Sequence, residues 1–402
     1  MTAVNEVRGA IDAGTQPTLI VQGSSGSYFC RDRRGKIIGV FKPKSEEPYG
    51  EQNPKWAKWI HRTFLPCCFG RGCLIPNSGY LSEAGASIID QALDLNVVPR
   101  TEVVQLSSPA FHYSFMQKRM SKRGHPPLKI GSFQLFVTGY HDAEAVFHNL
   151  TRQPLTDAAK LSFRHQFERL VILDYIIRNT DRGAQNWMIK FSSTSPAPTP
   201  PSTTPQAAAA AGEYPPADPA SPSSEHGNEP PASATPFAGG GHAAAKVVAG
   251  GERVGSPAPD PISGVSIAAI DNGLAFPFKH PDNWRNYPFA WVSLSAAKVP
   301  FSDETATEFL PKLQDPDFVD VLVQRLRDIF HIDPRFSEEL FQAQMSVLRG
   351  QIFNLVESLE RRYTPAQMAE ITPIVINQVE EHKGIRHWVF NFRKKAPLFK
   401  SW

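Results

Sequence analysis

The chain has 402 residues, enough for two ordinary domains or two large lobes, and its formal net charge of +3 is too small to favour a nucleic-acid partner. Its four cysteines are too few for a disulfide framework in a chain of this length, so a reducing compartment is expected. The start shows no signal-peptide pattern, and no apolar run approaches the roughly 20 residues of a membrane-spanning helix, so any membrane contact is expected to be peripheral.

Residues 18–140 are predicted to form a small β-rich lobe, preceded by a flexible lead at 1–17. Its strands are expected from short apolar runs at 19–21, 28–30, 37–41 and 133–137. A helix is expected to begin near Ser82, which would act as its N-cap. Residues 45–78 are rich in Pro, Gly, Trp and Cys, which indicates an irregular excursion from the lobe.

The second half of the chain is predicted to form a mainly helical lobe, divided by a long polar tract. Apolar side chains recur at helical spacing over 161–178, 303–330 and 337–362. Residues 192–263 are mostly Ala, Pro, Ser, Gly and Thr, which cannot bury enough surface to offset their chain entropy, so a disordered insertion is expected. The lobe would then span 141–191 and 264–365, and a basic, aromatic extension would follow at 366–402.

Two separated aspartates carry the most specific chemical signal. Asp181 follows an apolar run and is followed by Asn186 five residues later, and Asp271 follows a second apolar run. Kinases use an aspartate to orient the attacking hydroxyl, with an asparagine five positions on and a distant aspartate holding Mg²⁺. Arg182 would steady this loop or neutralise developing charge. An ordinary turn at each aspartate is the alternative.

The spacing of the two aspartates also favours one shared site. They are 90 positions apart, but removing the 72 residues of the insertion leaves 18. That length fits a short β-hairpin, with Asp181 before its first strand and Asp271 after its second. The insertion would lie at the hairpin tip, where extra residues are tolerated.

Two features of the small lobe fit the binding of ATP phosphates. A turn between the first two strands consists of Gly23, Ser24, Ser25, Gly26 and Ser27. Such a turn lets backbone N–H groups approach phosphate oxygens closely, although a plain hairpin turn is the alternative. Lys42 on the third strand is placed like the nucleotide-binding lysine of protein kinases, although a solvent-exposed strand lysine is the alternative. Glu83 on the next helix is a partner for it, although a solvent-exposed glutamate is the favoured interpretation.

Motifs along most of the chain resemble those of type II phosphatidylinositol 4-kinases. They are GSSGSYF at 23–29, FKPK at 41–44, EEPYG at 46–50, NPKW at 53–56, YLSEAGAS at 80–87, DYIIRNTDRG at 174–183 and AIDNGLAFP at 269–277. The resemblance covers 19–191 and 264–360, and Asp-Arg-Gly at 181–183 is a type II mark. It implies an α+β, two-lobed protein-kinase-like fold and ATP-dependent phosphorylation of the 4-hydroxyl of phosphatidylinositol.

The same resemblance implies roles for individual residues. Lys42 and Asp271 would bind ATP or its Mg²⁺, and Asp181 would be the catalytic aspartate. The adenine-side hinge would consist of Gln134, Leu135, Phe136 and Val137. Trp284 and Trp291 would belong to the activation segment and contact the membrane.

Membrane anchoring is expected from the excursion of the small lobe. The family is palmitoylated at a Cys-Cys-Pro-Cys-Cys motif, of which this chain keeps only the second pair, Cys67 and Cys68. Trp56 and Trp59 alternate with basic residues nearby, which suits anionic lipid headgroups. Zinc binding together with Cys73 is the alternative, but adjacent cysteines are poorly spaced for one tetrahedral ion. The expected location is the cytoplasmic face of Golgi, endosomal or plasma membranes.

Two other functions stay open. A protein kinase is disfavoured because the sequence lacks His-Arg-Asp, Asp-Phe-Gly and Ala-Pro-Glu. A catalytically inactive membrane scaffold would need defects outside the motifs, since every polar residue that the chemistry requires is present.

Overall fold

The computed structural model describes residues 2–21, 25–47, 52, 71–120, 126–150, 155–193, 262–282 and 286–377. The predicted disordered insertion, except for its margins, lies outside these ranges. So do most of the small-lobe excursion and the basic, aromatic part of the C-terminal extension.

The first part of the chain is built on a five-stranded antiparallel sheet with the order β1-β2-β3-β5-β4. Its strands are β1 (Thr18–Leu19), β2 (Tyr28–Arg31), β3 (Ile37–Pro43), β4 (Thr101–Leu106) and β5 (Lys129–Leu135). Helix α2 (Gly79–Leu93) precedes β4, and the short helix α3 (Phe115–Met120) precedes β5. Helix α2 carries one of the functional side chains toward β3, as described below.

The first residues form a helix and not the flexible lead predicted for 1–17. Helix α1 (Thr2–Asp12) buries Val4 and Val7 in a small core with Tyr28 of the sheet. These valines are one helical turn apart, so they share a face. A helix this short has little stability alone, and the sheet that covers its apolar face is what makes it form.

The second part of the chain is mainly helical around a three-stranded sheet with the order β6-β7-β8. Its strands are β6 (His141–Asp142), β7 (Trp187–Ser193) and β8 (Ile262–Ala269). Its helices are α4 (Ala143–Leu150), α5 (Asp157–Ile176), α6 (Asp303–Leu313), α7 (Pro316–Phe330), α8 (Glu338–Glu360) and α9 (Pro365–Glu370). The α+β class, with a β-rich first part and a mainly helical second part, is thereby confirmed.

Strands β7 and β8 confirm the predicted hairpin. They pair antiparallel, with Trp187 opposite Ala269 at one end and Ser193 opposite Ile262 at the other. The loop of Asp181 leads directly into β7, and Asp271 follows β8 after one residue. The two aspartates therefore lie at the same end of the hairpin.

Helix α8 crosses the main core. The predicted apolar stripe is buried at Phe341, Met345, Leu348, Ile352, Leu355 and Leu359, whereas Leu340 is partly exposed. On the same helix, a Cβ at Gly350 would collide with the carbonyl oxygen of Ile374, so glycine lets the segment after α9 cross closely. None of the helices within the described ranges combines the length and apolarity that crossing a bilayer would need.

Helix α2 begins three residues before the predicted cap. Ser78 precedes it without a side-chain capping bond, and the Glu47 carboxylate instead accepts hydrogen bonds from the first two backbone N–H groups of the helix, at 3.1 and 2.7 Å. Ser82 lies inside the helix and donates to the carbonyl of Ala275 at 3.1 Å. A carboxylate distant in sequence thus satisfies donors that a local cap would otherwise bind.

Buried Glu47 predicts a pH dependence of stability. Burial raises the pKa of Glu47 from 4.5 to about 7, and the two backbone N–H bonds only partly oppose this. Because the folded state favours protonated Glu47, this group contributes to the free energy of unfolding. The contribution is fully present below pH 4.5 and is lost as the pH rises through about 7. Urea unfolding of the wild type should therefore show a loss of up to roughly 3 kcal/mol over that range.

Glu47→Gln is expected to remove most of this dependence, because glutamine does not ionise. The matched control is Glu6→Gln, which changes an exposed side chain on α1. Its free energy of unfolding should depend on pH as that of the wild type does. A Glu47→Gln protein whose unfolding free energy followed the wild-type pH profile would contradict the assignment to Glu47.

Candidate active site

A lysine bridges two carboxylates where the five-stranded sheet meets the helical part. Lys42 on β3 pairs with Glu83 on α2 and with Asp271, whose carboxylate oxygen lies 3.1 Å from the lysine Nζ. Glu83 is buried, so its expected exposure to solvent is wrong; the rotation of α2 turns it toward the sheet. Burial acts against the charge of Lys42, but the two carboxylates outweigh it and raise its pKa. Nearby Lys44 pairs instead with Asp333, at 2.7 Å.

Asp271 is held in an unusual backbone conformation at the end of β8. Its φ of 55° lies in the left-handed region, which aspartate tolerates better than most residues. Its side chain stays about half exposed, while the neighbouring Asn272 is fully buried. Lys42 lowers the pKa of Asp271 more than burial raises it, so the carboxylate is ionised at neutral pH.

Asp181 lies on a loop that hydrogen bonds hold in place. Its backbone N–H donates to the side-chain oxygen of Asn179 at 2.9 Å, and the preceding Thr180 N–H donates to the carbonyl of Leu274 at 2.9 Å. The amide nitrogen of Asn186 donates to the Asp181 carbonyl at 2.7 Å. Asn186 thus uses its nitrogen to close the loop, which leaves its side-chain oxygen for a cation.

The side-chain oxygen of Asn186 and the carboxylate of Asp271 are the candidate ligands of a divalent cation that a nucleotide would bring. The backbone N–H of Ile270 donates to the backbone carbonyl of Asn186 at 3.1 Å, so the two candidate ligands lie on neighbouring segments of the chain. Mg²⁺ in phosphotransferases takes one or two protein oxygens together with phosphate oxygens. Within the described ranges no three His, Cys, Asp or Glu side chains are grouped for a metal.

Arg182 is a buried connector and not a side chain that faces the reaction. Its guanidinium donates twice to Asp174 at 2.9 and 3.0 Å and once to the carbonyl of Ile270 at 2.6 Å. It also donates to the carbonyl of Asn186 and the side chain of Asn272. Arg182 therefore ties the Asp181 loop to the Asp271 segment, and of its two predicted tasks only steadying the loop is compatible with full burial.

Arg71 is a functional candidate that the sequence analysis missed. Its guanidinium donates to the Asp181 carboxylate at 2.6 Å and to the carbonyl of Thr180, and it lies over the Tyr287 ring at 4.1 Å. Partial burial raises the pKa of Asp181, whereas Arg71 lowers it. In the sequence Arg71 is one of many cations near the excursion, and no motif separates it from them.

A cavity of about 640 Å³ joins these groups. Its polar lining includes Ser25, Gly26, Lys42, Arg71, Asp181 and Asp271. Its apolar lining includes Leu74, Ile75, Pro76, Phe276 and Phe278. Charged groups of both signs therefore surround a space large enough for phosphate groups and a small alcohol.

The Gly/Ser turn is hydrogen-bonded to the 3₁₀ turn that follows β3, Lys44–Glu46, beside this cavity. The backbone N–H of Gly26 donates to the carbonyl of Glu46 at 2.8 Å, and a Cβ at Gly26 would lie 2.5 Å from the Glu46 carboxylate. Only glycine permits this close approach. Ser27 does not line the cavity, and Gly23 and Ser24 lie outside the described residues.

The four residues of the predicted hinge do not line this cavity. Gln134 is buried and donates to the Thr101 hydroxyl at 3.2 Å, while Leu135 and Phe136 are exposed and Val137 is half-buried. Gln134 and Leu135 are the last two residues of β5, the strand that pairs with β3, and Phe136 and Val137 follow it. Their adenine-binding role stays a prediction.

Trp291 is not a membrane contact. It is only 1% exposed, stacks on Phe289 with ring centroids 4.8 Å apart, and donates from Nε1 to Asp174 at 3.1 Å. Its indole N–H helps to satisfy the buried Asp174–Arg182 pair, which is why this tryptophan points inward. The other predicted membrane residues, Trp56, Trp59, Cys67, Cys68 and Trp284, lie outside the described residues. Cys73 is a buried free thiol.

The site has a lysine held by a helix glutamate, an aspartate after a hairpin and an aspartate–asparagine loop before that hairpin. This is the arrangement that a kinase-like phosphotransferase uses. The family model for phosphatidylinositol 3- and 4-kinases matches residues 23–354. The chain belongs to this family.

Curated relatives match almost the whole chain. The chain is 41% identical to phosphatidylinositol 4-kinase type 2-alpha of Danio rerio, over 99% of this chain and 82% of that protein. It is 42% identical to the type 2-beta enzyme of Rattus norvegicus, over 98% of this chain and 77% of that protein. Among solved structures, hydra Fam20 aligns with a TM-score of 0.40 and 12% identity over 86% of this chain and 84% of that chain, which is too low to bear on activity.

Proposed function

We propose that this protein is a lipid kinase that transfers the γ-phosphoryl group of ATP to the 4-hydroxyl of phosphatidylinositol. The observation that carries the proposal is the convergence of Lys42, Asp181 and Asp271 on one cavity. The names of the relatives, phosphatidylinositol 4-kinases of type 2, support the substrate and the position of the hydroxyl.

The geometry divides the work among the residues of the cavity. The backbone at Ser25 and Gly26 and the ammonium of Lys42 would bind ATP phosphates, with Glu83 holding the lysine in place. Asn186 and Asp271 would hold Mg²⁺, which when bound neutralises phosphate charge. Asp181 would orient the inositol hydroxyl and accept its proton, so the products are ADP and phosphatidylinositol 4-phosphate.

A vesicle assay tests this proposal. The purified protein is supplied with radiolabelled ATP, Mg²⁺, phosphatidylinositol vesicles and a generic protein substrate, and the phosphorylated inositol position is then identified. Label in phosphatidylinositol at the 4-position is expected. Label only in protein would establish a protein kinase, and label at another inositol position would refute the proposed regiochemistry.

Membrane anchoring through thioacyl chains is part of the same proposal. Cys67 and Cys68 are adjacent, and basic and aromatic residues surround them in the sequence. Two acyl chains, or one chain together with a basic patch, anchor a protein stably, whereas a single chain binds marginally. The proposed location is therefore the cytoplasmic face of a cellular membrane of the Golgi, endosomal or plasma type.

Replacing both cysteines, Cys67→Ser with Cys68→Ser, is expected to move a large part of the protein from membrane to cytosol on fractionation. Cys30→Ser is the matched control, because that thiol is buried in the sheet core and cannot carry an acyl chain. Unchanged fractionation of the double variant, with no loss of incorporated palmitate, would contradict the anchoring role.

A further inference from the structure

The catalytic loop offers no free cation to the phosphoryl group that it would transfer. Negative charge builds on that group in the transition state, and kinases and GTPases neutralise it with a positioned cation in addition to the metal. Arg182, the cation next to Asp181, is buried and fully committed to Asp174 and backbone carbonyls. The next residue is Gly183, and Lys42 is held by Glu83 and Asp271.

Among the residues that the structure describes, Arg71 is the cation that contacts the Asp181 side chain. Its guanidinium lies 2.6 Å from the Asp181 carboxylate and lines the same cavity as Lys42 and Asp271. Its side chain is 18% exposed, and that of Asp181 is 40% exposed, so neither is sealed against an entering substrate. The Tyr287 ring below the guanidinium fixes its plane without using any of its N–H donors.

The geometry points to Arg71 as a catalytic residue that binds the transferring phosphoryl group. We propose that Arg71 pairs with Asp181 before nucleotide binds and then turns N–H donors to the γ-phosphate, in the manner of an arginine finger supplied by the same chain. A guanidinium suits this exchange because its planar fork bonds a carboxylate and a phosphate with the same geometry. The inference rests on the proposed phosphoryl transfer and not on the identity of the lipid.

The step conserves atoms and charge. The acceptor oxygen forms a bond to the γ-phosphorus while the bond from that phosphorus to the β–γ bridging oxygen breaks, and the bond electrons leave with ADP. The acceptor proton passes to Asp181, which becomes a better acceptor once Arg71 has turned away from it. Arg71 stays protonated throughout and forms no covalent bond.

Arg71→Gln and Arg71→Ala test this inference in two reactions of the full-length protein. The first is phosphorylation of phosphatidylinositol in vesicles, and the second is hydrolysis of ATP without lipid, in which water replaces the alcohol. Both variants are expected to lower kcat at least 100-fold in both reactions, with the KM for ATP within about threefold of wild type. Arg100→Ala, which removes an exposed arginine just before β4, should match wild type.

Rescue distinguishes contact with the phosphoryl group from support of the loop. Millimolar guanidinium is expected to restore kcat of Arg71→Ala at least tenfold, whereas the same concentration of sodium chloride should not. Arg71→Gln removes the charge but keeps a polar side chain with N–H donors. Its melting temperature should stay close to wild type, so its lost turnover is readable even if Arg71→Ala unfolds.

Three results would overturn the inference. Unchanged hydrolysis with a raised KM for phosphatidylinositol alone would make Arg71 a headgroup ligand. A wild-type kcat for Arg71→Gln in both reactions would show that Arg71 has no catalytic role. A kcat that is lost in folded Arg71→Ala and that guanidinium does not restore would show that Arg71 only supports the loop. A wild type that hydrolyses ATP but leaves phosphatidylinositol unlabelled would refute the proposed substrate, and the hydrolysis arm would still test Arg71.

Discussion

Asp181→Asn is expected to lower kcat for lipid phosphorylation by about 10²- to 10⁴-fold, the usual contribution of a positioned proton acceptor. Asparagine has nearly the same shape, so the loop bonds made by the backbone N–H and carbonyl of residue 181 remain. What is lost is the negative charge that orients the hydroxyl and accepts its proton. Asp181 is partly exposed and lines the cavity, where a substrate would reach it.

The Asp181→Asn experiment needs separate readings of binding and turnover. The KM for ATP and the melting temperature should stay close to wild type, because neither Lys42 nor Asp271 loses its partner. Asp157→Asn is the matched control, since that carboxylate is exposed at the start of α5 and pairs only with Lys160 among the described residues. Vesicle phosphorylation at wild-type kcat by Asp181→Asn would remove Asp181 from the mechanism.

Arg182→Met is expected to destabilise the fold by about 3–5 kcal/mol, the range for removal of one partner from a buried ion pair. Methionine fills similar space but leaves the Asp174 carboxylate buried with only weaker donors, among them the indole of Trp291. It also leaves the carbonyl of Ile270 and the side-chain oxygen of Asn272 without this donor. Buried polar atoms that lose a partner carry most of the cost.

Urea unfolding measures this loss, and a double variant separates its origins. Asp174→Asn combined with Arg182→Met should cost less than the sum of the single changes, because the charge left behind by Arg182→Met alone is absent. Arg327→Ala breaks a partly exposed pair with Glu338 and is the control, with an expected effect below about 1 kcal/mol. Equal costs for Arg182→Met and Arg327→Ala would show that Arg182 does not hold the two loops together.

Much of the fold was predictable where the pattern is local. The stripe of α8 and the strands β7 and β8 follow directly from spacing and apolar runs, because a helix or strand needs one face buried whatever its partner is. Helix α1 was not predictable in the same way. Its apolar face rests on Val4 and Val7, and a face this small has meaning only once the sheet exists to cover it.

In the candidate site, too, some residues were predictable from local sequence and others were not. Asp181, Asn186 and Asp271 could be named from short motifs, because the chemistry of a nucleotide and its metal demands those side chains in a fixed local order. The burial of Glu83 was not predictable, since the sequence of a helix does not state which neighbour its polar face meets. Nor was the burial of Trp291, because aromatic residues suit both a membrane interface and a core.

The order of the elements, the hairpin that unites two aspartates and the motifs of the family can all be read from the amino-acid sequence. The partners of the side chains become known from the folded structure, including Glu47 at the start of α2, the buried ion pair of Arg182 and the contact of Arg71 with Asp181. A motif specifies neighbours along the chain, whereas an ion pair or a cap between residues far apart depends on how loops and helices are rotated when the core packs.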